Sequence, residues 1–186
     1  MLDSMRAVAV LLGVALFGCC CCGRRKEAPP PAREEAMAIT VTSPSFAAGE
    51  RIPKKYAYEP EGENVSPPLR WSGLPEGTKE LALLCDDPDA PMAEPWVHWV
   101  LFGLPATAKG IDEGKEPGVP GVNSWNKPGW GGPLPPKGHG THHYHFKLYA
   151  LGAPVALKKG ATKADLLKAI EGHVLAQGEL VGTYSR

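Results

Sequence analysis

The chain has no cysteine pair to spare for a disulfide. Of its five cysteines, Cys19 to Cys22 stand side by side near the start, and only Cys85 lies further on. A disulfide within the remaining chain is therefore excluded, and Cys85, inside an apolar run, reads as a buried thiol. The four adjacent cysteines cannot all turn towards one metal ion, so they are no zinc knuckle. Charge is balanced, with 20 Lys and Arg against 20 Asp and Glu and a formal net charge of zero. That removes the basic surface on which nucleic-acid affinity rests. The longest apolar run near the start, Ala7 to Phe17, is too short to span a bilayer as a helix. Gly-x-Ser-x-Gly, HExxH and Walker sequences are missing, and with them the usual signatures of several hydrolase and nucleotide-binding classes. There is no internal repeat.

Glycine and proline are plentiful, at 22 and 20 residues. They lie between apolar runs without a collagen period, which predicts many turns in a compact β-rich domain. Residues 1–18 read as a signal peptide: Arg6 gives a positive start, and Ala7 to Phe17 an apolar centre. Leu16-Phe17-Gly18-Cys19 resembles a bacterial lipobox and makes Cys19 the expected lipidation site. Several acyl chains there, at about 0.8 kcal/mol per buried methylene, would anchor the protein to a bacterial membrane, periplasmic or at the cell surface. Residues 19–38 lack apolar periodicity and read as a tether. A single domain is expected over 39–186.

Within that domain, a first strand is expected from Ile39 and a second at Leu69 to Trp71. Leu81 to Cys85 is continuously apolar, as in a strand buried on both faces. Trp96 to Phe102 follows as another apolar strand, with His98 its only ionisable residue. Thr162 and Asp165 form a capping box for a helix whose apolar positions are Leu166, Leu167, Ile170, Val174 and Leu175, with a possible break at Gly172. His173 is expected to pack in that helix. Leu180 to Tyr184 reads as a last strand or extended tail.

Three stretches carry chemistry. Asp86-Asp87-Pro88-Asp89-Ala90-Pro91 places three carboxylates at a strand end held by two prolines; turn caps and site residues are both open readings. His98, on a buried strand, needs a partner, and the aspartate turn is the expected source. In Gly131 to Leu151, a Gly/Pro loop feeds an alternating strand. Its apolar row is His142, Tyr144, Phe146, Leu148 and Ala150. His142 and Tyr144 head that row, either as hydrogen-bonded core residues or at a pocket mouth. Asn123 and Trp125 read as residues that shape the preceding loop.

In order and spacing these motifs, with Val97-His98-Trp99, Gly132-Pro133-Leu134-Pro135-Pro136 and Gly140-Thr141-His142-His143-Tyr144, resemble the phosphatidylethanolamine-binding protein family, also called the Raf kinase inhibitor-like family, in its bacterial branch. The resemblance implies an antiparallel β-sandwich with a few peripheral helices, one near the C-terminus. It also implies a small pocket for phosphate, a phospholipid headgroup or a phosphorylated ligand. The matching positions are Asp87, Trp96, His98, Pro136, His142 and Tyr144. The resemblance assigns no catalytic residue, cofactor or metal. His143 stands where the family usually has arginine, on the strand face away from the pocket. Leu134 stands where the bacterial branch often has cysteine, and Tyr56 to Gly62 lacks that branch's second cysteine. The family's cis peptide before the pocket tryptophan falls at Glu94-Pro95, where cis costs only about 0.5–1 kcal/mol.

Two other readings compete with that of a binding module. One is an inhibitor or regulator of an exported enzyme, through an unidentified protein contact. The other is a hydrolase using Asp87, His98 and His142 as a metal site or an acid–base pair.

Overall fold

The computed structural model describes residues 39–186. The signal peptide, the tether and Cys19 lie outside them. Among the described residues no helix is long and apolar enough to cross a membrane as a span.

Two antiparallel sheets make the domain. The smaller joins β1 (Thr40–Thr42), β2 (Leu69–Ser72) and β5 (Gly110–Ile111) in the order β1-β2-β5. The larger contains β3 (Glu80–Asp87), β4 (Trp96–Pro105), β6 (Val119–Pro120), β7 (His142–Leu151) and β8 (Val174–Tyr184), in the order β6-β4-β3-β7-β8. One α-helix, α1 (Lys163–Ile170), precedes β8. The mainly β architecture is thus as the sequence predicts.

The central position of β3 explains its unbroken apolar run. Leu81, Leu83 and Cys85 enter the core between the sheets, together with Val41, Leu69, Trp71, Phe146 and Leu148. The intervening Ala82 and Leu84 face a second cluster with Val100, Phe102, Leu151, Leu166 and Ile170. Both faces are covered, so alternation of polarity is lost. In β7 alternation survives: Tyr144, Phe146 and Leu148 are buried, whereas His143 is exposed and His145 and Lys147 are half-buried. The Cys85 thiol is free and fully buried, and desolvation pushes its pKa well above the usual range.

Thr162 and Asp165 form the predicted capping box at the start of α1. The helix ends at Ile170, short of the predicted Val174 and Leu175. Gly172 takes φ 75°, a left-handed conformation that turns the chain out of the helix. The next residues pair with β7, Val174 opposite Leu151, and leave Val174 and Leu175 exposed. A long ladder with β7 outcompetes another helical turn. His173 is accordingly an exposed turn residue, not a helix-packing one.

Candidate functional site

A cavity of about 240 Å³ opens where the ends of β3, β4 and β7 meet the loops around Trp125 and Pro135. All six sequence-predicted positions line it: Asp87, Trp96, His98, Pro136, His142 and Tyr144.

His98 reaches the cavity through a fault in the strand pairing. Cys85 pairs with Trp99 and Asp86 with Val97, so two residues of β3 span three of β4 and His98 is the extra one. Such a bulge re-aims side chains. Strict alternation would send His98 to the α1 side with Val100 and Phe102. The bulge instead places it on the cavity, beside the core residue Trp99. Its Nδ1 is hydrogen-bonded to the Gly131 carbonyl. A carbonyl only accepts, so Nδ1 carries the proton and Nε2 keeps a lone pair. That Nε2 is buried and has no partner among the described residues. Burial drives the His98 pKa down to about 4, against the raising effects of the Gly131 bond and the Asp87 charge.

The carboxylate expected beside His98 goes elsewhere. Asp87 Oδ2 lies 2.7 Å from His142 Nδ1, and both side chains are buried. Asp87 Oδ1 accepts the Asp89 backbone N–H at 2.8 Å. Asp87 therefore both caps the turn and lines the cavity. His142 Nε2 lies 2.8 Å from Nδ1 of exposed His139 on the Gly/Pro loop. The other two aspartates leave the cavity. Asp86 pairs with Lys147 at 2.9 Å and with Lys163 of α1. Asp89 pairs with exposed His143 at 2.7 Å. Tyr144 stands edge-on to His98, with ring centroids 4.9 Å apart, and its buried hydroxyl has no partner. Burial, followed by the nearby Asp87 charge, raises the pKa of that hydroxyl, so it remains a donor.

The rim is apolar. Trp125 stacks on Tyr58 at 4.5 Å and meets Trp96 and His98 edge-on. Met92, Leu134 and Pro135 complete the wall. From the sequence Trp125 is expected only to shape its loop, and neither Met92 nor His139 stands out. A tryptophan in a polar Asn-Ser-Trp-Asn loop, and a histidine three residues before His142, were the available signals. Asn123 is structural, as read: its Oδ1 accepts the Trp125 and Lys127 N–H groups. Among the described residues the cis peptide lies at Glu59-Pro60 and not at Glu94-Pro95. Any X-Pro bond has a small cis cost, so the dipeptide alone does not choose among the chain's three Glu-Pro pairs.

Asp87 and His142 bond to each other, and His98 Nδ1 bonds the Gly131 carbonyl. Among the described residues no group of three His, Cys, Asp or Glu side chains is arranged to hold a metal ion.

Residues 42–185 match the family model described as phosphatidylethanolamine-binding protein. A UPF0098 protein of Pyrococcus horikoshii is 44% identical over 161 residues, covering 82% of this chain and 79% of its own. A Mycobacterium tuberculosis protein whose name contains the word lipoprotein is 42% identical over 151 residues, covering 80% and 73%. Among solved structures, a homologue from Chlamydia trachomatis superposes with TM-score 0.75 at 37% identity, covering 80% of this chain and 98% of its own. YbcL of E. coli, described as a new member of the mammalian family, gives the same TM-score and coverage at 33% identity. The fold, the motif order and these likenesses agree: the chain belongs to the phosphatidylethanolamine-binding protein family.

Proposed function

We propose that this family member is an exported, lipid-anchored binding protein whose cavity takes a phosphoryl group, from free phosphate, a phospholipid headgroup or a phosphorylated ligand. The observation that carries the reading is the cavity floor. It joins a buried Asp87–His142 pair to two buried polar groups, His98 Nε2 and the Tyr144 hydroxyl, that no atom of the described residues satisfies. Buried polar groups left unpaired cost stability, and a polar ligand relieves that cost. The Tyr144 hydroxyl offers the phosphoryl group a donor, and the Asp87–His142 pair fixes the wall beside it. The apolar rim excludes water and strengthens those bonds. A lipid on Cys19 would hold the cavity near a membrane surface, with residues 19–38 as the tether.

The test is a titration of the full-length protein with inorganic phosphate and with phosphoethanolamine, following the histidine NMR signals, beside a His142→Ala variant. Saturable shifts of His98 and His142 that the variant abolishes are expected. Absence of binding by both ligands would overturn the reading.

A further inference from the structure

The cavity floor is unequal in donors and acceptors. His98 Nε2 is an acceptor, because Nδ1 spends its proton on the Gly131 carbonyl. Both Asp87 oxygens already accept bonds, from His142 and from the Asp89 N–H. Both His142 nitrogens are engaged, by Asp87 and by His139. The Tyr144 hydroxyl is the donor still unused. Among the described residues no lysine or arginine lines the cavity. A fully ionised phosphoryl group would turn bare oxygens towards the lone pair of His98 and the charge of Asp87. A protonated one fits: P–OH donates to His98 Nε2 while a second oxygen accepts from Tyr144. A phosphodiester has no such proton. Around this floor Trp96, Trp125, Met92 and Leu134 form an apolar collar, and Met92 is 60% exposed at its edge.

Building on the phosphoryl-binding reading, we infer that the cavity selects phosphomonoesters with an apolar substituent, bound as the singly protonated monoanion, over phosphodiesters. The titratable groups acting on His98 are Asp86 and Asp87 from β3, with Tyr144 of β7 edge-on to its ring; His142 bonds Asp87 and, on its other side, His139 of the Gly/Pro loop. Burial outweighs the two carboxylates and keeps His98 neutral, hence an acceptor, through the neutral pH range. A ligand with a different second ionisation separates the ligand's own proton from those of the protein.

Isothermal titration of the full-length protein with phenyl phosphate, methyl phenyl phosphate and benzylphosphonate, from about pH 5 to about pH 8, spans the second ionisation of a phosphate monoester near pH 6. Phenyl phosphate affinity should fall about tenfold per pH unit above that ionisation, as the competent form is depleted. The diester should bind at least about tenfold more weakly. Benzylphosphonate, whose second ionisation lies higher, should shift the fall to higher pH by the same interval. Tyr144→Phe keeps the ring, removes an unpaired hydroxyl and should weaken phenyl phosphate. Equal binding of monoester and diester with flat pH profiles would overturn the inference and leave the phosphoryl pocket standing. A fall at one pH for both monoanions would assign the titration to the protein's histidines and overturn it too. No binding by any of the three would overturn the pocket itself.

Discussion

Asp87 Oδ2 and His142 Nδ1 lie 2.7 Å apart with side chains only 5% and 1% exposed, so a carboxylate from the end of β3 fixes the proton position on a histidine from the start of β7. The same carboxylate holds the Asp89 N–H through Oδ1. Asp87→Asn keeps the shape but puts an amide donor at one of those two positions. The Asp89 N–H requires the amide oxygen, so the NH2 faces His142. The imidazole must then move its proton to Nε2. Nitrogen-detected NMR should show this reversed tautomer, and unfolding should become easier by about 1.5–3 kcal/mol, the range for a hydrogen bond to a charged group. An unchanged tautomer would show that Asp87 does not set it.

Burial of His98 makes stability depend on pH. Its pKa falls from 6.5 to about 4 in the folded chain. In that interval the unfolded chain binds more protons, so stability is complete above about pH 6.5 and declines as pH falls to about 4. Each unit is worth about 1.4 kcal/mol, giving about 3 kcal/mol in all. Denaturant unfolding across this range should show the decline in the wild type. His98→Gln, which has no charge to acquire, should lose that part of the slope. Parallel slopes would contradict the assignment.

Most strands were legible because their periodicity reports burial directly. Leu81 to Cys85 shows two covered faces and His142 to Ala150 shows one. The six cavity positions emerged from motif order. Their partnerships did not. Adjacency of β3 and β4 correctly brought the aspartate turn near His98, but one bulged residue rotates the histidine towards Gly131 and leaves Asp87 to His142. A bulge depends on pairing register, which no local run of residues displays. The helix was overextended for a related reason: Val174 and Leu175 fit its period, yet pairing with β7 decided their conformation.

Asp86 should act as the clasp between α1 and the large sheet. It is buried, and Lys147 and Lys163 approach it from β7 and α1. Burial raises its pKa, but the hydrogen bonds from Lys147 and Lys163 outweigh that and leave it below the usual carboxylate value. Its contribution is therefore present above pH 3.8 and lost as pH falls through the lower folded value. Asp86→Asn leaves two ammonium groups facing each other across an amide. Both lysines are partly exposed, so water screens them, and the expected loss is about 2 kcal/mol, below the range for fully buried pairs. Hydrogen exchange should increase first in 163–170. A uniform increase across the sheet would instead assign Asp86 to the core and not to the helix.

The Gly/Pro loop offers a steric test of what holds the cavity wall. Gly132 donates its N–H to Asn64 Oδ1 at 2.8 Å, and Pro133 accepts from the Tyr58 N–H at 3.0 Å. A Cβ on Gly132 would lie 2.1 Å from the Tyr56 carbonyl oxygen and 2.6 Å from backbone atoms of Ala57 and Tyr58. Backbone atoms cannot rotate aside, so Gly132→Ala must push this loop off residues 56–58, next to the Gly131 carbonyl that holds His98. The expected cost is about 3 kcal/mol, at the upper end for overpacking. Gly138, in the same loop, has φ 74° but nothing within 4 Å of an added Cβ. Gly138→Ala meets only the left-handed penalty of about 1 kcal/mol. Denaturant midpoints should therefore drop further for Gly132→Ala, and only that variant should disturb the His98 resonances. Equal effects at the two glycines would mean that the loop yields as a unit, and that its seat on residues 56–58 does not hold the cavity wall.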